Sequence, residues 1–140
     1  MRAVLDPNVL ISALLSRDGT PARILRAWIG GEFDLVVSPK LLAELERALA
    51  YPKLERHVSP DESTTFVGWL RGAADLAADP ETPPPVRSAD PDDDYLLTLA
   101  ADQRAALISG DKHLLTLSIG DLPIHTAAEF LSLLQAHGRS

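Results

Sequence analysis

Acidic side chains give this sequence its most specific chemical signal. They are Asp6, Glu44, the run Asp92 to Asp94, and Asp111. Carboxylates that converge in one crevice repel each other and bind hard cations such as Mg²⁺ or Mn²⁺, together with waters and substrate phosphates. One such ion would activate water for in-line attack on a phosphodiester, and a second ion about 4 Å away would stabilise the leaving oxygen. No cysteine is present, so a thiolate site is excluded.

Two apolar runs place acids at the ends of predicted strands. Ala3 to Leu5 has the pattern of a buried strand that stops at Asp6, and Ala106 to Ile108 is followed closely by Asp111. Residues 33–37 and 122–125 predict two further strands, and helical patterns alternate with all four. This alternation predicts a three-layer α/β/α sandwich with a mainly parallel sheet, whose ligand site lies beyond the carboxyl ends of its strands.

Helix start signals place the remaining acids. Ser38-Pro39 is a cap followed by proline, and the helix that it predicts runs to about Ala50 with Glu44 at the border of its apolar stripe. Asp92 to Asp94 opens another helix. Thr20-Pro21 is also a cap followed by proline, and it predicts a helix that ends at Gly30. Two further helix starts have capping-box spacings, at Ser59 with Glu62 and at Thr126 with Glu129.

Composition limits the class of protein. The 140 residues fit a single domain spanning 1–140, and the apolar runs fall short of the roughly 20 residues that cross a membrane. Without a signal-peptide pattern, a cytoplasmic protein is expected. The net charge of −7 argues against a tight, sequence-blind nucleic-acid binder, but it is compatible with a metallonuclease because bound cations reverse the sign at the site.

Each acid also has a simpler interpretation. Asp6 fits an Asx turn before a helix, Asp111 fits a cap for a helix starting at Lys112, and Glu44 fits a solvated helix residue. The run Asp92 to Asp94 fits helix N-terminal charge. The metal-site interpretation is preferred because separate acidic sites all fall at the same edge of one predicted sheet.

Other residue types give weaker indications of a functional role. The four histidines have no metal-ligand spacing and are expected in surface or turn positions, while Trp28 and Trp69 are predicted in the core. For Lys112 and Arg104, solvation is favoured over RNA contact. A basic rim beside the third helix is a further hypothesis, formed by Lys40, Arg47, Lys53 and Arg56.

The four motifs together resemble the PIN-domain family, particularly its bacterial toxin-component (VapC-like) subgroup. The motifs are 4–10 (VLDPNVL), 38–45 (SPKLLAEL), 90–94 (DPDDD) and 109–111 (SGD). The resemblance implies that the metal ligands are Asp6, Glu44, Asp93 and Asp111, with supporting roles for Asn8, Asp94 and Ser109. Asp94 is the alternative third ligand, since the acidic run leaves the register uncertain by one. Pro7 and Ser109 stand where the family more often has threonine.

The resemblance further implies an endoribonuclease dependent on one or two Mg²⁺ or Mn²⁺ ions, a homodimer, and inhibition by a small protein antitoxin. Two alternatives stay open. The first is a catalytically weak PIN-like module that binds RNA or a protein partner. The second is a phosphatase-like domain with Asp6 as the nucleophile. Lys112 fits the second poorly, because it directly follows the acid that it would have to oppose.

Overall fold

The computed structural model describes residues 1–81, 94–115 and 122–138; the side chains of 94, 113 and 138 are outside this description. Asp93, the predicted third ligand, and most of the proline-rich connection also lie outside the described residues. The strands are β1 (Arg2–Leu5), β2 (Asp34–Val37), β3 (Asp75–Leu76), β4 (Ala106–Ile108) and β5 (Ile124–His125). The helices are α1 (Pro7–Leu15), α2 (Thr20–Ile29), α3 (Pro39–Leu49), α4 (Pro52–Glu55), α5 (Pro60–Ala73), α6 (Asp94–Asp102), α7 (Lys112–Leu115) and α8 (Ala127–Gly138).

The five strands form one sheet in the order β3-β2-β1-β4-β5, and every pairing is parallel. The chain leaves β1 for β2 and β3 on one side, then crosses to β4 on the other side of β1. The point where the strand order reverses therefore lies between β1 and β4. Ligands of open α/β sheets bind at such a switch point, beyond the carboxyl ends of the strands. The α/β sandwich with a parallel sheet is the predicted fold.

The central strands of the sheet are apolar on both faces, as is typical of parallel sheets. Ala3, Val4 and Leu5 are almost completely buried, as are Leu107 and Ile108. Strands covered by helices on both sides read as continuous apolar runs instead of alternating ones. Leucines of α3 and α6 supply much of the covering layer: Leu41, Leu42, Leu45, Leu49, Leu96, Leu97 and Leu99.

Several predicted helix starts are confirmed by their caps. The Ser38 hydroxyl accepts a hydrogen bond from the backbone N–H of Leu41, and the Asp79 carboxylate accepts one from the N–H of Lys40. At α5, Ser59 and Glu62 form the complete capping box. The same reciprocal pair joins Thr126 and Glu129 at α8. These caps bind the orphan amides that begin each helix.

The prediction that Thr20 caps α2 is wrong. Gly19 is the cap residue, Thr20 already belongs to the helix, and no side-chain cap bond forms. Pro21 still falls within the first turn, where its missing N–H costs no hydrogen bond. Two elements also went unpredicted, β3 and α4, because each is short and mostly exposed.

Candidate active site

Asp6 occupies the carboxyl end of the central strand β1. It is also the N-cap of α1, and its Oδ1 accepts a hydrogen bond of 2.9 Å from the backbone N–H of Asn8. The Asx-turn interpretation is therefore confirmed for this residue. The contact uses the Asn8 backbone, while the Asn8 residue itself is exposed. Asp6 is only 4% exposed, so its carboxylate is held in place inside the protein.

Ser109 joins the first predicted ligand to the last. Its buried hydroxyl donates to Asp6 Oδ2 at 2.9 Å and accepts from the backbone N–H of Asp111 at 3.0 Å. One oxygen atom therefore fixes the end of β1 relative to the loop after β4. The Asp111 carbonyl in turn accepts from the backbone amides of Leu114 and Leu115, which begins α7.

Burial dominates the electrostatics of Asp6. Loss of water around the carboxyl raises its pKa, and the nearby negative charge of Asp111 raises it further. The hydrogen bonds from the Asn8 backbone and the Ser109 hydroxyl act in the opposite direction but do not cancel the effect of burial. The fold thus holds a carboxylate where its charged form is disfavoured, beside a second carboxylate.

Glu44 is held by a contact that joins α3 to α6. The Tyr95 hydroxyl donates to Glu44 Oε2 at 2.7 Å, and Lys40 Nζ lies 4.5 Å from the centre of the Tyr95 ring. Glu44 is half-buried, and Tyr95 is 9% exposed. The distance is at the short end of the usual range for O–H···O hydrogen bonds. Because Tyr95 is the second residue of α6, Glu44 is tied to the beginning of the helix that follows the acidic run.

Of the predicted ligands, the structure places Asp6 and Asp111 close together and Glu44 apart from them. Asp6 and Asp111 interact through Ser109, and Glu44 contacts the start of α6. Within residues 1–81, 94–115 and 122–138, no three histidine or acidic side chains are grouped so that they could hold one ion. Asp93 and the side chain of Asp94 fall outside this range.

The prediction that Trp69 lies in the core is wrong. It is 38% exposed on α5 and packs against Trp28 of α2, with 5.0 Å between the ring centres. Phe66 lies on its other side at 5.9 Å. Two adjoining depressions of about 450 and 430 Å³ border these rings. We call this surface the aromatic groove; its lining includes Leu14, Trp28, Ile29, Asp61, Glu62, Phe66, Trp69 and Ala73.

The family model for the PIN domain matches residues 2–113 of this chain, a range that includes Asp6, Asp111 and the strands β1 and β4 that precede them. The chain belongs to the PIN-domain family. PIN domains are generally nucleases, and they typically use divalent metal ions. The match therefore confirms the family that the four motifs indicated.

Other proteins resemble this PIN domain over most of its length. The uncharacterized protein MJ1680 of Methanocaldococcus jannaschii is 28% identical over 117 residues, covering 84% of this chain and 75% of MJ1680. VapBC2 of Rickettsia felis, solved with a DNA fragment from its promoter, has a TM-score of 0.62 at 14% identity, covering 90% of this chain and 98% of the other. PAE2754 of Pyrobaculum aerophilum has a TM-score of 0.64 at 17% identity, covering 97% and 90%. These two structures share the fold.

Sequence reasoning missed Tyr95. Its position beside the acidic run does not show which residue receives its hydroxyl. A buried tyrosine usually directs its O–H to a partner. Tyr95 therefore carried a usable signal, but its partner lies 51 residues away on another helix.

Proposed function

We propose that this PIN domain is a metal-dependent endoribonuclease, with Asp6, Glu44, Asp93 and Asp111 as the ligands of one or two Mg²⁺ or Mn²⁺ ions. The observation that carries the proposal is the buried Asp6 carboxylate beside Asp111 at the switch point of the sheet. A divalent cation would offset both the burial and the like charge that disfavour the ionised form of Asp6. The all-oxygen donor set suits these hard cations.

The residues of the chain have distinct tasks in this proposal. A bound divalent cation supplies the positive charge that polarises the phosphodiester and makes water more acidic. Ser109 fixes Asp6 and Asp111 relative to each other, and the Asn8 backbone fixes the second oxygen of Asp6. Tyr95 orients Glu44 from the opposite helix. Partners of this kind set ligand geometry and affinity.

Cleavage of structured and unstructured RNAs tests the proposal. Wild type is incubated with Mg²⁺, Mn²⁺ or a chelator beside Asp6→Asn, which keeps the shape of the side chain and removes its charge. Metal-dependent cleavage by wild type alone is expected. Isothermal titration with Mn²⁺ discriminates the alternative, a PIN-like module without useful turnover, because that module would bind no ion at the site.

We further propose a small protein antitoxin as the partner, which makes the chain the toxin component of a pair. The likeness to VapBC2 and the aromatic groove support this. Asp61 and Glu62 line the groove, so an apolar helix flanked by basic residues would fit it. The test is co-expression with the product of the adjacent gene. We expect a stable complex that Trp69→Glu disrupts, and no complex with wild type would contradict the partner.

Self-association is a separate prediction. We propose that the chain forms a homodimer, as its family suggests. Light scattering coupled to size-exclusion chromatography would give about twice the chain mass of 15.1 kDa. No helix of the described residues is long and apolar enough to span a membrane.

A further inference from the structure

A cleft of about 530 Å³ runs along the exposed side of α3, beside the predicted ligand Glu44. Its lining consists of Lys40, Glu44, Arg47, Ala48 and Tyr51. The cations Lys40 and Arg47 are seven residues apart, which is about two helical turns and about 10 Å along the axis. They therefore lie on the same side of α3, with Glu44 between them. We call this surface the α3 strip.

Neither cation of the α3 strip is neutralised by an ion pair within the described residues. Lys40 and Glu44 have the spacing of a helical ion pair, but Glu44 Oε2 accepts from Tyr95 and Lys40 Nζ lies over the Tyr95 ring. Asp79 accepts from the backbone amide of Lys40. Within the described residues, Arg2 and Asp75 form an ion pair, whereas Lys40 and Arg47 do not take part in one.

An exposed aromatic ring completes the α3 strip. Tyr51 follows α3 and is 66% exposed, although tyrosine is usually at least partly covered. Its side chain makes no cap bond at α4, so the start of that helix does not require it. Lysine and arginine side chains beside an exposed aromatic ring are a combination with which proteins bind single-stranded nucleic acid, with phosphates on the cations and a base on the ring.

We infer that the α3 strip binds single-stranded RNA next to the acidic site, with phosphates on Lys40 and Arg47 and a base stacked on Tyr51. This inference rests on the proposed function for the identity of the nucleic acid. It names a binding surface that the acidic ligands do not provide. Such binding is compatible with the net charge of −7, because the contact is local.

The test is RNA binding without cleavage. A fluorescein-labelled, unstructured RNA oligonucleotide is titrated with protein in EDTA, and anisotropy is followed across a series of salt concentrations. The variants are Lys40→Gln with Arg47→Gln, Arg47→Gln alone, and Tyr51→Ala. The matched control is Arg23→Gln with Arg71→Gln, two exposed cations on α2 and α5 outside the cleft. Both double variants have the same net charge, and circular dichroism checks their folding.

We expect the strip double variant to bind more weakly and with a shallower salt dependence. The slope of log K against log salt should fall by about 1.4, because each phosphate contact on a single strand contributes about 0.7. Arg47→Gln alone should lower the slope by about half as much. Tyr51→Ala should weaken binding about five- to hundredfold without changing the slope, because it removes stacking only. The control pair should bind much like wild type.

Two results would overturn the inference. One is an equal loss of affinity in the control double variant and the strip double variant, because net charge alone would then explain the effect. The other is wild-type affinity in Tyr51→Ala. Because binding is measured in EDTA, failure of the α3 strip is distinguishable from failure of the nuclease proposal. A wild type that binds through the strip but never cleaves would contradict only the latter.

Discussion

Replacing Ser109 by alanine removes the oxygen that links Asp6 to Asp111. The Ser109 hydroxyl is fully buried and makes two hydrogen bonds, one to the Asp6 carboxylate and one from the Asp111 backbone. A bond to a charged group contributes about 1.5–3 kcal/mol and a neutral one about 0.5–1.5 kcal/mol. Water can reach the half-exposed Asp111, so we expect the lower part of the combined range, a loss of about 2–3 kcal/mol from the free energy of unfolding.

The chain supplies a matched control in Ser63. This serine is also buried, on α5, but its Oγ has no hydrogen-bond partner among the described residues. Ser63→Ala therefore removes the same atom from a helix that favours alanine, and it should be neutral or slightly stabilising. Urea unfolding in EDTA measures both variants. A Ser109→Ala protein as stable as Ser63→Ala would refute the linking role of the hydroxyl.

The cost of Ser109→Ala should also depend on pH. The pKa of Asp6 is raised in the folded protein, so its stabilising contribution is present below the unfolded pKa and is lost as the pH rises through the folded value. Ser109 is one of the contacts that lower this pKa. Without it the pKa rises further, and the variant should lose more stability between acid and neutral pH than wild type. A penalty independent of pH would contradict this assignment.

Three further predictions concern other contacts. Tyr95→Phe should weaken Mn²⁺ binding about ten- to hundredfold in isothermal titration, because Glu44 loses its hydrogen-bond donor; unchanged affinity would contradict a positioning role. Hydrogen bonds from Thr126 lower the pKa of Glu129, so Glu129→Gln should reduce stability at neutral pH, with the difference vanishing as the pH falls through the folded pKa in urea titrations. Asp6→Asn should lose the rise in melting temperature that Mn²⁺ produces in wild type, because the substitution removes the charge that would bind the ion; an unchanged rise would contradict the ligand role.

The sequence was most informative where one local pattern determines the structure. β1 and β4 are short apolar runs bounded by polar residues, and their burial on both faces follows from that pattern. The same pattern predicted that Asp6 and Asp111 follow two strands at the same edge of the sheet. β3 carried no such signal, because both of its residues are exposed and its pairing depends on β2 alone.

Contacts between distant helices were not predictable in the same way. Helical periodicity placed Trp69 on an apolar face, but it does not show whether another element covers that face, and the ring remains partly exposed. The bond between Tyr95 and Glu44 joins residues from two helices whose relative position only the tertiary structure defines. Glu44 was accordingly selected mainly by family resemblance. Asp93, selected in the same way, lies outside the described residues.

The most direct test of the central claim is the cleavage of an unstructured RNA by wild type and Asp6→Asn in Mn²⁺, with EDTA as the metal-free control. The proposed function predicts cleavage by wild type in Mn²⁺, none in EDTA, and none by a folded Asp6→Asn in either. Equal cleavage by wild type and Asp6→Asn, or cleavage that persists in EDTA, would contradict it.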